Sequence, residues 1–194
     1  MTGAGGVRLG RSSIDERDRR LAAARRAELT YDHVGSTRHP ERFPGRAPRK
    51  VRRTLTGLGD HTFITAADGL RAWVPQRHLG AGIHPPMAAV AVGETLLVIL
   101  ALGPVEVTAP NRVVWVLDEL DRFGFAYGTL PGHPASGEEA FMVERVDHGR
   151  LDLSVTVDAT PATPAGRALA PLVAQVQRQA VNRYLQGLAM HIRG

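Results

Sequence analysis

The run Arg122-Phe-Gly-Phe-Ala-Tyr-Gly-Thr-Leu-Pro-Gly-His-Pro-Ala-Ser-Gly-Glu-Glu-Ala-Phe141 reads as a strand, a tight Gly/Pro loop and a returning strand. Side chains alternate along a strand, so Phe123, Phe125, Tyr127 and Thr129 share one face. Gly124, Ala126 and Gly128 share the other, which is nearly bare. Glycine weakens a strand unless something must approach the backbone closely. The expectation is therefore that a helix or a ligand lies against the bare face. Gly128 then lies near a cavity mouth and Gly124 under a helix.

The period is two on both sides of this hairpin. Strands are expected at Glu94–Leu102, Val105–Thr108, Arg112–Leu120, Phe123–Leu130, Glu139–Asp147 and Leu151–Asp158, most of them separated by short turns, and sequential hairpins make an antiparallel meander. In the last strand Leu151, Leu153, Val155 and Val157 face in, and Asp152, Ser154, Thr156 and Asp158 face out. Upstream, Val51 to Leu58 is a candidate strand ended by Gly57-Leu-Gly59. His61 to Val74 has helical spacing through Phe63, Ala66, Ala67, Leu70 and Trp73, with Pro75 at its end. Residues 75–88 read as loop. Downstream, Thr163-Pro164 opens a long helix. Its stripe of Leu172, Val173, Val176, Ala180 and Tyr184 is expected to pack on the sheet. The order is α+β. It resembles the helix-grip fold of the START/Bet v 1-like superfamily (SRPBCC), a curved antiparallel sheet of about six or seven strands wrapped around a long C-terminal helix.

The net charge of +5 is unevenly placed. Residues 1–53 hold 14 Arg/Lys against 6 Asp/Glu, and the remainder 10 against 13. Residues 1–28 read as a basic, Arg-rich N-terminal extension, partly helical or disordered, with a capping box at Ser13 and Glu16. Residues 29–194 read as a single domain. The extension lacks aromatic residues for base stacking, so nucleic acid is not the expected partner. The chain has no cysteine, which excludes disulfides, thiolate metal sites and a cysteine nucleophile. No apolar run reaches the length of a membrane span, and no secretory h-region is visible. The expected location is cytoplasmic; the oligomeric state is open.

Familiar catalytic signatures are absent: no Walker A loop, no G-x-S-x-G elbow and no HExxH. His33, His39, His61, His78 and His84 lack ligand spacing, so neither metal nor cofactor is expected. The titratable residues of the hairpin remain. His133 with Glu138 or Glu139 is a candidate acid–base pair. Because the two glutamates are adjacent, only one shares a face with Tyr127 and Thr129. Turn building is the competing account of His133. Trp73, Tyr127, Thr129 and Tyr184 are candidate cavity-lining residues, with core packing the alternative for the aromatics.

The run Gly124-Phe-Ala-Tyr-Gly-Thr-Leu-Pro-Gly-His-Pro-x-x-Gly-Glu-Glu139 resembles the signature of uncharacterised protein family 0548 (UPF-0548), a domain of unknown function. Leu29-Thr-Tyr31, Val34-Gly35-Ser-Thr37, Leu70-x-x-Trp73 and Tyr184 on the last helix agree with it. The likeness covers about residues 29–190. It departs at Arg46, where the family tends to an aromatic after Pro-Gly. It departs again at Asp158-Ala-Thr-Pro161, where the family has an aromatic–Ser–Arg–Pro run. The resemblance implies the fold and carries over no catalytic residue. The functional expectation is a domain binding a small, largely apolar molecule between sheet and last helix. The alternatives are an enzyme on the same fold, of cyclase, dehydratase or hydrolase type, and a protein-interaction module with a filled core.

Overall fold

The computed structural model describes residues 6–56, 61–147, 149–168 and 170–194, without the side chains at 165 and 170–173. The elements run β1 (Val7–Leu9), α1 (Ile14–Arg26), β2 (Arg49–Thr56), α2 (Thr62–Arg71), α3 (Val74–His78), β3 (Ala81–His84), β4 (Thr95–Leu102), β5 (Val105–Asp118), β6 (Arg122–Thr129), β7 (Ala135–Asp147), β8 (Arg150–Pro161), α4 (Pro164–Ala168) and α5 (Ala170–Arg193). The strands form one curved antiparallel sheet in the order β2-β8-β7-β6-β5-β4-β3, with β1 paired to β5. The long C-terminal helix and α2 pack on the inner face, and α3 packs against α5. Their shared core contains Leu70, Phe141, Val155, Val181, Tyr184 and Leu188. The fold is α+β and of helix-grip type.

Several local expectations are corrected. Val105 to Asp118 is one strand rather than two. Pro110 does not break it because it lies just beyond the last pair with β6, Asn111 opposite Thr129, where no ladder donor is required. The helix expected over 61–74 stops at Arg71 because Trp73 adopts a left-handed φ of 59°. Pro75 then serves in the first turn of α3, and residues 81–84 form β3 where loop was expected. The end signal at Gly57-Leu-Gly59 lies outside the described residues.

The packing face of the last helix is also corrected. Leu172 and Val173 lie outside the described side chains, and Val176 is 60% exposed. Ala180 and Tyr184 of the expected stripe do pack on the core, and Val181, Leu185, Leu188 and Ala189 complete the face. A Val176→Asp substitution should therefore change stability by less than about 0.5 kcal/mol in urea unfolding. The stripe drifts in this way because each step of four residues, from Val176 to Ala180 to Tyr184, overshoots a full turn of 3.6 residues and moves around the helix.

The N-terminal segment packs on the outer face. Ser13 accepts from the Glu16 N–H at 3.2 Å and caps α1. Leu21 packs against Leu97 and Ile99 of β4. Glu106 on β5, 1% exposed, receives Arg17 at 3.2 Å, the Ser12 N–H at 3.1 Å and the Ser12 hydroxyl. Much of the basic surplus of this segment is thus used internally: Arg8 and Arg20 both pair with Glu16.

Candidate functional site

The β6–β7 hairpin places its residues on two opposite faces. Tyr127 pairs with Glu139 across β6 and β7, Glu139 with Val157 of β8, and Val157 with Arg49 of β2. Directly paired residues point to the same side of a sheet. Tyr127, Glu139, Val157 and Arg49 therefore form one row across four strands on the inner face.

On that face the aromatic residues pack against one another. Trp73 meets Phe125 edge-on at 5.1 Å, Phe125 stacks on Phe141 at 5.3 Å, and Tyr184 of α5 meets Phe141 edge-on at 5.3 Å. The Trp73 indole N–H donates to the Ala88 carbonyl at 2.8 Å. Trp73, Tyr127 and Tyr184 are all buried in this cluster. Thr129 sits at the end of β6, where its hydroxyl accepts from the Gly137 N–H at 3.0 Å and meets the Thr30 hydroxyl at 2.5 Å.

Within the aromatic cluster lies a polar pair. The Tyr127 hydroxyl donates to Glu139 Oε2 at 2.6 Å. Burial raises the Glu139 carboxyl from 4.5 to about 7, and the Tyr127 hydrogen bond only partly offsets this. Tyr127 and Tyr184 are both raised, first by burial and then by the Glu139 charge. Gln76 of α3 is fully buried beside them. Such a carboxyl exchanges its proton near neutral pH, the property acid–base work requires.

The raised value has a stability consequence. The folded state binds the Glu139 proton more tightly than the unfolded chain does. The stability carried by this group is therefore complete below 4.5 and is lost as pH rises to about 7. Glu139→Gln keeps the shape and removes that loss. With allowance for the solvent contact of this half-buried group, the variant should gain about 2 kcal/mol at alkaline pH and little at acid pH. Thermal melts across that range check the sign.

Glu138 points the other way. It is fully buried on the outer face, where Oε2 accepts from the Tyr31 hydroxyl at 3.1 Å and the Gly35 N–H at 2.8 Å. Oε1 accepts from the Thr37 N–H and the Trp115 indole N–H, each at 3.2 Å, and from the Thr37 hydroxyl. Trp115 reaches it because a bulge in β5 between Val113 and Trp115 shifts the parity of the strand. Glu138 thereby fastens the 29–47 segment to the sheet. His133 stands in the turn, its Nδ1 accepting from the Ala135 N–H at 2.9 Å, and burial lowers its pKa to about 4. Neither glutamate is among its hydrogen-bond or ion-pair partners in the described structure.

A cavity of about 300 Å³ opens at the rim of the sheet, between the Gly45–Arg49 segment, Val157 to Thr160 and Gln177 of α5. Arg46 holds Asp158 there with two hydrogen bonds, 3.1 and 2.5 Å long. Burial alone would raise the Asp158 carboxyl, but the Arg46 bonds outweigh it and the group is held low. Arg49 lines the same cavity, and the identity of both arginines as site residues was not anticipated from sequence. Period-two reading of Val51 and Leu55 would have put Arg49 on the inner face. Among the described residues no group of His, Asp and Glu could hold a metal, and no helix is long and apolar enough to cross a membrane.

A curved antiparallel sheet, a long C-terminal helix against its inner face and a cavity at their seam define a helix-grip domain. The family model described as a domain of unknown function (DUF1990) matches residues 30–187, and the chain belongs to that family. A curated relative from Deinococcus radiodurans, described as a UPF0548 protein, is 44% identical over 78 residues. That match covers 40% of this chain and 39% of the relative, so the chain spans well under half the length of the relative it matches. Among solved structures, a hypothetical protein from Helicobacter pylori has a TM-score of 0.60 at 16% identity, covering 84% of this chain and 97% of that one. A conserved protein from Geobacillus kaustophilus has a TM-score of 0.54 at 10% identity, covering 74% and 93%. At these identities the likeness speaks for the fold alone.

Proposed function

We propose that this domain binds a small, largely apolar molecule at the seam between sheet and C-terminal helix. The supporting observation is the rim cavity of about 300 Å³ between β8, the segment leading into β2 and Gln177. Its volume is at the lower end of small-molecule pockets. Ala47, Val157 and Ala159 supply apolar wall, and Arg46, Arg49, Asp158, Thr160 and Gln177 supply polar groups beside it. The aromatic cluster around Trp73 and Tyr184 forms the floor of the domain rather than the pocket, so the ligand is a compact one held at the rim.

Native mass spectrometry of the purified protein, with displacement of an environment-sensitive dye, tests this reading. A co-purified mass or a saturable dye signal is expected, and Ala159→Trp should remove it while the protein stays folded. Absence of both in the wild type overturns the reading.

A second reading, an enzyme on the same fold, is favoured by the Tyr127–Glu139 pair and its titration near neutral pH. It requires that Glu139→Gln retain ligand binding and lose turnover. A variant that turns over ligand like the wild type removes Glu139 from the chemistry.

A further inference from the structure

We infer that the rim cavity takes an organic monoanion, a carboxylate on an apolar body, and that the Arg49 guanidinium receives its charged end. The inference rests on the ligand-binding reading above and narrows the class of ligand.

Arg49 Nη2 is buried and has no hydrogen-bond partner among the described residues. A guanidinium cannot shed its proton to escape burial. Arg49 is partly exposed as a whole, so the cost falls on this one donor, which is closed to water and has no acceptor.

The neighbouring carboxylates are committed elsewhere. Asp158 also lines the cavity, but Arg46 occupies both of its oxygens. Glu139 lies in the same inner row as Arg49, yet Val157 stands between them and Tyr127 holds Oε2. Two strand spacings of about 4.8 Å put their backbones roughly 10 Å apart. The cavity walls therefore carry two guanidinium groups against one carboxylate, a surplus of one positive charge.

A single free guanidinium matches a single negative charge. Its fork geometry suits a carboxylate, which it meets with two parallel hydrogen bonds once the side chain turns the buried Nη2 toward the cavity. A dianionic phosphate would leave a charge uncompensated here. Val157 and Ala159 offer apolar wall for the rest of the molecule, and Gln177 of α5 adds a neutral donor and acceptor on the opposite side.

The test compares matched acids and amides on the full chain. Naphthaleneacetate, phenylbutyrate and decanoate are titrated against their primary amides by dye displacement. The acids should bind roughly tenfold to a hundredfold more tightly, the range of one charge-assisted contact. Arg49→Gln should bring each acid down to the level of its amide; Arg49→Lys should restore part of the preference.

Equal binding of acid and amide to the wild type overturns this inference and leaves the cavity reading standing. Persistence of the preference in Arg49→Gln also overturns it. Failure of the dye and of both series to bind defeats both readings together. Melting of the ligand-free protein gives an independent check. An unpaired guanidinium predicts that Arg49→Met is at least as stable as the wild type. A marked drop in melting temperature would show that Arg49 already has a partner within the protein, which overturns the inference.

Discussion

Glu138→Ala is expected to lower stability by about 4 kcal/mol, a fall in melting temperature on the order of 10 °C for a chain of this size. The carboxylate is fully buried and accepts from five donors on Tyr31, Gly35, Thr37 and Trp115. Removing it strands those donors in a site water enters only if the segment lifts. Each buried donor left unsatisfied costs about 1–3 kcal/mol, and partial lifting returns some of that. Glu138→Gln should cost about half as much, because one of the two acceptor oxygens becomes an NH2 facing N–H and O–H donors. Urea unfolding measures the loss. Trypsin reports its location: cleavage at Arg38, Arg42 and Arg46 should accelerate well before global unfolding. Unchanged cleavage together with a melting temperature within about 2 °C of wild type would show that the segment is held by other contacts.

The second large effect concerns the bare face of β6. Gly124→Val and Gly128→Val should each destabilise by about 3 kcal/mol, the upper part of the overpacking range. A Cβ on Gly124 would lie 2.7 Å from the Phe141 carbonyl oxygen, which is backbone and cannot swing aside. A Cβ on Gly128 would lie 2.1 Å from the Tyr31 hydroxyl. Tyr31 can leave, but only by giving up its bond to Glu138. This corrects the sequence expectation that Gly128 marks a cavity mouth. The bare side of the strand is the outer face, covered by the 29–47 segment and Trp115, whereas α5 packs on the crowded side. Because the rim cavity is bounded by α5 and Val157, folded Gly128→Val protein should bind ligand like the wild type. Retained stability with lost binding would reverse the orientation assigned here.

The two glycine predictions show where the sequence stops being informative. Alternation along β6 assigns Phe123, Phe125 and Tyr127 to one face and Gly124, Ala126 and Gly128 to the other, and the structure keeps that division. Alternation does not say which face meets the helix. Either side is compatible with a period of two, because the choice depends on what volume arrives from distant parts of the chain. Here the space over Gly128 is taken by Tyr31, some hundred residues upstream and tied down by Glu138.

The same limit separates the two glutamates. Adjacency alone puts Glu138 and Glu139 on opposite faces. Only the fold gives one of them five donors and the other a tyrosine in an aromatic core, and so only the fold makes Glu139 the group that titrates near neutral pH. The family signature, the antiparallel meander and the terminal helix are legible from local pattern because each rests on neighbouring residues. The break at Trp73, the parity shift at Trp115 and the isolation of Arg49 are not, since each is settled by contacts between segments far apart in sequence. For this protein the sequence determined the antiparallel meander, the terminal helix and their order; tertiary structure decided where some elements break or run on, which faces they bury and which charges they leave without a partner, because packing volume and charge pairing are properties of neighbours in space.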